Sequence, residues 1–334
     1  MNLAQIYCTA RELNQDLGLE IVDEALLYEH ILEASATIER RMGYFIPVTQ
    51  TRIFNGTNDG EDLRVDPFLA ISAITDDDTA LTVTTDYLLK NPGRQWNTLW
   101  ENGPYTRIQR VDGGWSDDVD VTGKWGLWEE TKALGETVSL AAVDTATLVV
   151  TDGSKLHLGM VLKCEDEQLL VTGLSTPTLA TSLVNMSAGV TLSDDEITVD
   201  NGAEFHEGET IRIGTEQMLI TLIAGHVLGV KRNWNSTKKA THANDTAIYV
   251  YRTYSVDRGV NGTTAAIHAS KALYRYMVPR DVRELCKQIS ALIKRKAETG
   301  YAGKSGGGMD GEVYFYNEFP RTQMAEVESH YKVF

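Results

Sequence analysis

The sequence predicts an α+β protein: a helical bundle from the N- and C-terminal segments plus a small β region, with a large all-β insertion made of two nested duplicated β modules. Three observations predict it. Apolar residues recur at helical spacing near both ends, the pattern changes to period two after residue 48, and the middle of the chain repeats itself. The expected division is a core from residues 1–128 and 275–334, an outer module from 129–175 and 251–274, and an inner module, 176–250, nested within it.

Leu3, Ile6, Ala10 and Leu13 share one helical face and Gly18 follows them, which predicts a short first helix. Between Val22 and Met42, the residues Leu27, Ile31, Ala34, Ile38 and Met42 step by three and four until Gly43 supplies a stop, which predicts a second. From Val48 to Trp128 alternation such as Thr106, Ile108, Arg110 is broken by Asn55-Gly56, Asp76-Asp77-Asp78, Asn91-Pro92-Gly93 and Asp112-Gly113-Gly114. These are short strands joined by turns. Trp96, Trp100, Trp115, Trp125 and Trp128 lie here, and indole rings on small sheets more often close a thin core or a subunit contact than stack on sugars. Pro279 opens the last long helix along Val282, Leu285, Ile289 and Leu292, with acids at its start and Lys294, Arg295 and Lys296 at its end, as the helix dipole favours.

Residues 150–172 align with 199–221 without a gap, through Val150/Val199, Gly153/Gly202, His157/His206, Gly159/Gly208, Glu167/Glu216 and Gln168/Gln217. Residues 230–243 align equally with 256–269, through Arg232/Arg258, Asn235/Asn261, Thr237/Thr263 and His242/His268. The order is first half, first half, second half, second half, and the outer copy carries 75 extra residues, about the length of the inner copy. Insertion of one module into a loop of another accounts for this order; a plain tandem with exchanged strands is the alternative.

The repeated Arg-x-x-Asn-x-Thr-x-x-x-x-His phrase invites a catalytic reading, but no nearby acid at a shared position is seen to orient the histidine. Arg232, Asn235, Thr237, His242, Arg258, Asn261, Thr263 and His268 are therefore read as structural turn residues. His157 and His206 are read as turn residues in separate modules, not a metal site. Gly303-Lys304-Ser305 lacks the glycine five positions earlier that a phosphate loop needs, and the calcium-like run from Asn55 to Asp66 has Leu63 at a ligand position. Neither catalytic, cofactor nor metal residues are assigned, and no enzymatic activity is expected.

The chain has 31 basic and 47 acidic side chains, a net charge of −16, which disfavours binding of nucleic acid phosphates by the bulk surface. No apolar run is long enough to span a bilayer and the start carries no apolar signal core, so a soluble, unsecreted chain is expected. Cys8, Cys164 and Cys286 lie far apart without a Cys-x-x-Cys pair and are read as reduced filler. Gly303, Gly306, Gly307 and Gly308 mark a linker, followed by an aromatic strand from Glu312 to Phe319 and a short helix from Thr322 to Tyr331. Such a strand has too little context to fold alone, and adds to a sheet edge or groove in its own subunit or a neighbour's.

Residues 1–128 and 275–334 resemble the head-to-tail connector (adaptor, or head-completion) proteins of tailed bacteriophages. The resemblance lies in the helix Asp23 to Gly43 followed by Thr49-Gln50-Thr51, in Leu63 to Ile74, in Val121-Thr-Gly-Lys-Trp-Gly126, and in Val278-Pro-Arg-Asp-Val-Arg-Glu-Leu285. It implies a structural adaptor: a helical bundle built from both chain ends, a ring of about twelve copies beneath the portal protein, a tail attachment surface, and a lumen through which DNA passes without specific binding. It also implies a C-terminal arm, 301–334, docking on the portal, in which Tyr314, Phe315, Tyr316, Phe319 and Tyr331 are the candidate contacts. The expected location is the virion neck. Two other readings stand beside it: a host-surface or glycan-binding virion protein using the β modules, and a carboxylate-based wall hydrolase.

Overall fold

The computed structural model describes residues 2–18, 23–56, 60–90, 104–186, 189–298, 304–305, 314–315 and 319–331. The chain is mostly β: three six-stranded sheets stand against four helices among the described residues. This corrects the expectation of a helical bundle with a small β region. The four helices pack on one another around one core, and the period-two stretches, read as short, build a full sheet that includes a strand of 15 residues.

The helices are α1 (Ala10–Leu17), α2 (Glu24–Met42), α3 (Arg280–Glu298) and α4 (Arg321–Tyr331). The first begins later than its apolar spacing predicts, because Thr9 and Glu12 close a capping box: the Thr9 hydroxyl accepts from Glu12 N–H and the Glu12 carboxylate accepts from Thr9 N–H. Residues 2–8 are not helical and form an extended strap, exposed at Asn2 and Leu3 and buried from Ala4 to Cys8. Asp23 caps α2, and Gly43 ends it. Leu27, Ile31 and Ile38 from α2 share one apolar core with Leu285 and Ile289 from α3 and Met324 and Val327 from α4. Among the described residues no helix is long and apolar enough to cross a membrane.

The first sheet comprises β1 (Val48–Phe54), β2 (Asp62–Asp76), β3 (Thr79–Leu81), β4 (Tyr87–Lys90), β5 (Tyr105–Arg110) and β6 (Val119–Trp125), in the order β1-β6-β2-β5-β4 with β3 on β2. Pro67 lies inside β2 without breaking it. It sits between Arg64 and Phe68, where the register against β5 shifts, so its missing N–H removes no ladder bond there.

The second sheet comprises β7 (Thr131–Leu140), β8 (Thr147–Val149), β9 (Val161–Cys164), β10 (Glu167–Leu174), β17 (Thr253–Arg258) and β18 (His268–Tyr276), in the order β7-β18-β9-β10-β17-β8. The third comprises β11 (Thr178–Leu183), β12 (Glu196–Thr198), β13 (Thr210–Ile213), β14 (Glu216–Ala224), β15 (Val227–Trp234) and β16 (Ala247–Val250), in the order β11-β16-β13-β14-β15-β12. Counted by place within each sheet, both run first, sixth, third, fourth, fifth, second. Aligned residues fill like places in the two cores, Leu162, Leu169 and Val171 in one and Ile211, Met218 and Ile220 in the other.

The chain leaves β10 and returns along β17 side by side, with Ser175 N–H donating to Thr253 O at 2.9 Å. In the third sheet the corresponding strands β14 and β15 are joined by the two residues Gly225 and His226. The whole third sheet thus occupies the place of a hairpin tip in the second.

Candidate functional site

The repeated phrase folds into the same polar cluster twice. In the inner sheet Arg232 donates to both carboxylate oxygens of Glu216, each at 2.6 Å, while His242 Nε2 lies 2.9 Å from Glu216 Oε2 and Ala240 N–H donates to the same oxygen at 3.0 Å. In the outer sheet Arg258 bonds Glu167 at 2.6 and 2.7 Å, His268 Nε2 lies 2.8 Å away, and Ala266 N–H donates at 3.0 Å. Each arginine also ties down the loop between the first two strands, Arg232 through Thr191 O and Asp194 O, Arg258 through Ala142 O and Thr145 O. The acidic partner that the sequence reading did not find is therefore present in both copies. Burial alone raises the Glu216 carboxyl, but Arg232, Ala240 N–H and His242 outweigh it and hold it down to about 2. Glu167 is lowered by the same balance with Arg258, Ala266 and His268. Both carboxylate oxygens of each glutamate are engaged by neighbouring groups, so each cluster ties its loop to the sheet.

Asn235 and Asn261 have positive φ, 51° and 54°, a turn conformation that Asn tolerates better than most residues. Each bonds the aligned glutamine, Asn235 to Gln217 and Asn261 to Gln168. Each also grips the N-terminal region: Asn235 Oδ1 accepts from Glu24 N–H at 3.3 Å, and Asn261 Oδ1 accepts from Ala4 N–H at 2.7 Å. Thr237 and Thr263 accept from the N–H groups of the same two glutamines, both at 2.9 Å. One face of each module is thereby a docking face onto the N-terminal region.

A cleft of about 320 Å³ lies where α1, α2 and both modules meet, lined by Arg11, Glu24, His157, Gln217, Asn235 and Tyr254. Burial, with the Arg11 charge beside it, pushes His157 well below the usual imidazole range, so its ring is neutral. Burial raises the Glu24 carboxyl even though Arg11 opposes the shift. Arg11 reaches across to Gly208 O of the inner module at 2.5 Å. Asp152, His206 and Glu209 converge at the seam between the modules. There Glu209 is engaged by Arg252 at 2.6 Å and by the N–H groups of Gly153 and His206 at 3.0 and 2.9 Å, so it serves as a link between modules. Asp66, in the calcium-like run, pairs with Arg52 at 2.5 Å.

Two of the candidate portal contacts pack on their own chain. Tyr331 is buried edge-on against Phe45 and its hydroxyl donates to Asp281 at 2.8 Å, while Phe319 packs partly buried on the helical core. Tyr314 and Phe315 form a two-residue strand paired antiparallel with Lys304 and Ser305; Tyr316 lies outside the described residues. The ring nitrogens of Trp115 and Trp125 donate to Glu61 O and Gln50 O and both side chains are buried, which removes them from any sugar-stacking surface. Trp96 and Trp100 lie outside the described residues. With the geometry in hand, comparison with known proteins finds no matching family model, curated protein or solved structure.

Proposed function

We propose that the chain is the repeating subunit of a head-to-tail adaptor of a tailed bacteriophage, a ring beneath the portal that prolongs the DNA channel and offers the tail its attachment surface. The observation that carries this reading is the placement of the chain ends. The helices α1 and α2, complete by Met42, and α3 and α4, which begin at Arg280, share one core, and all three large sheets are inserted between α2 and α3. Helices at both chain ends around the first sheet are the parts the connector resemblance implies; the second and third sheets, between Thr131 and Tyr276, are an addition to that pattern.

Two further features support it. The repeated polar clusters are saturated and buried, which suits modules that build a surface rather than carry out a reaction. The net charge of −16 suits a lumen past which a duplex slides, because cationic contacts are what hold DNA. In this reading α4 stays with its own subunit, and Tyr314 and Phe315 are the aromatic residues offered to the portal. The test is gold-labelled antibody against this chain, imaged on intact particles by electron microscopy. Label at the neck supports the adaptor; label at fibre tips, or none on particles, overturns it.

A further inference from the structure

We propose that Cys8 and Cys286 close into a reversible disulfide when the protein meets a peroxide, stapling the N-terminal strap to α3. The two sulfurs lie 3.5 Å apart, in residues 3% and 0% exposed, although they are 278 positions apart in the chain. A disulfide bond measures about 2.05 Å, so closure asks the sulfurs to approach by roughly 1.5 Å. The strap is already held in place for this. Ala4 bonds Asn261, Gln5 bonds the N–H and carbonyl of Ile46, and Tyr7 N–H donates to Ser35 Oγ at 3.2 Å. Ser35 Oγ also lies 3.4 Å from Cys286 Sγ, so α2 frames the pair from a third side.

Access comes from the strap side. A small cavity of about 20 Å³ is bounded by Cys8, Ile6, Thr9 and Glu12; a site of this size holds one water-sized molecule, and hydrogen peroxide is little larger. The hydrogen bond to Cys286 and burial push the Cys8 thiol up, whereas hydrogen bonds from Cys8 and Ser35 outweigh burial at Cys286 and hold it below its usual range, so Cys286 is the sulfur that draws the Cys8 proton away as Cys8 attacks and then follows as the second nucleophile. Cys8 sulfur attacks one peroxide oxygen, the O–O bond breaks, and the hydroxide released takes the thiol proton to leave as water. Cys286 sulfur then attacks the sulfenic sulfur, the S–O bond breaks, and the second hydroxide leaves as water with the Cys286 proton. Two thiols are oxidised by two electrons and one peroxide is reduced to two waters.

The experiment treats the reduced full chain with hydrogen peroxide, denatures it in iodoacetamide and maps the peptides. The expected product is a Cys8–Cys286 linked peptide, lighter by two hydrogen atoms and released by dithiothreitol, with Cys164 alkylated. The oxidised chain should also melt several degrees above the reduced one, a difference absent in Cys8→Ala and in Cys286→Ser. Full alkylation of all three cysteines after peroxide, or sulfinic acid on Cys8 with Cys286 free, would overturn the proposal. The mapping uses the unaltered chain and so decides the matter however the variants fold.

Discussion

The outer and inner modules make the same bonds through chains of different continuity. In the inner module Glu216 and Arg232 are 16 residues apart across one hairpin; in the outer module Glu167 and Arg258 are separated by 91, yet both pairs close at 2.6 Å. Strand order is also the same in both sheets. The geometry of the cluster is thus set by which strands are neighbours and not by how the chain travels between them. What differs is the surroundings. His268 has a second acid, Glu165, 2.9 Å from its Nδ1, and Arg258 is 7% exposed where Arg232 is 2% exposed.

Removing the shared acid should have the largest effect. Glu216→Ala leaves Arg232 buried without its partner and should destabilise the protein by about 3–5 kcal/mol; Glu167→Ala should lose less, because Arg258 lies nearer to water. Urea midpoints of the two variants check this, and equal losses would show that exposure does not separate the modules. Acid does the same reversibly. The Glu216 carboxyl is lowered from 4.5 to about 2 in the folded protein, so its stabilising contribution is whole above the unfolded value and is lost as pH falls from about 4.5 towards 2. Urea midpoints should drop steeply across that window and change little from this group above it.

A sharper contrast concerns docking. Each Asn→Ala change also frees the aligned glutamine, but Asn261→Ala strands both the N–H and the carbonyl of Ala4 and should cost about 2–4 kcal/mol, while on the helix side Asn235→Ala frees the Glu24 N–H alone and should cost about 1–2 kcal/mol. Hydrogen exchange at Ala4 and Glu24 would report each docking face separately. Next come the aligned glycines. An added methyl at Gly202 would collide with Gly225 O, and one at Gly153 with Tyr251 O. Both Gly→Ala changes should cost about 1–3 kcal/mol in thermal melts, and the two losses should match if the crossing chains truly stand in for a hairpin tip. The smallest effect belongs to the exposed pair Lys239–Asp195, at 3.4 Å, where Lys239→Ala should change stability by less than about 1 kcal/mol.

The two long helices were legible because their apolar stripes are uninterrupted and their stops explicit. Gly43 ends α2, and Pro279 precedes α3. The first helix was misplaced because Leu3 and Ile6 keep helical spacing while lying in a strap; the Thr9 capping box, a local hydrogen-bonding choice, sets the true start. The strands of the first sheet were legible from their alternation and turns, but not their extent, since period two says nothing of how far Asp62–Asp76 runs on through Pro67 at a register shift. The repeat itself was visible because its residues are those of the cluster. Glu167 and Glu216 were aligned, yet they were not joined to His268 and His242, because a search for an orienting acid near each histidine cannot see a partner supplied from the other half of the module. The docking role of Asn235 and Asn261 had no local signal at all, since it depends on where the N-terminal region is laid down.

The nested insertion also sets a timetable. On the ribosome β7 to β10 emerge first, and β17 follows only after the 75 residues of the inner module, a wait of about 4–15 seconds at usual rates of synthesis. During that interval β10 presents an unpaired edge while a strand with its partner's motif, β15, is being made beside it. Mispairing of β10 with β15 is the hazard that any such duplication creates. The short span from Glu216 to Arg232 counters it, because β14 captures β15 across a two-residue turn before a longer loop can close. The inner module thus finishes first and takes its own arginine out of competition, leaving Glu167 for the one that arrives last.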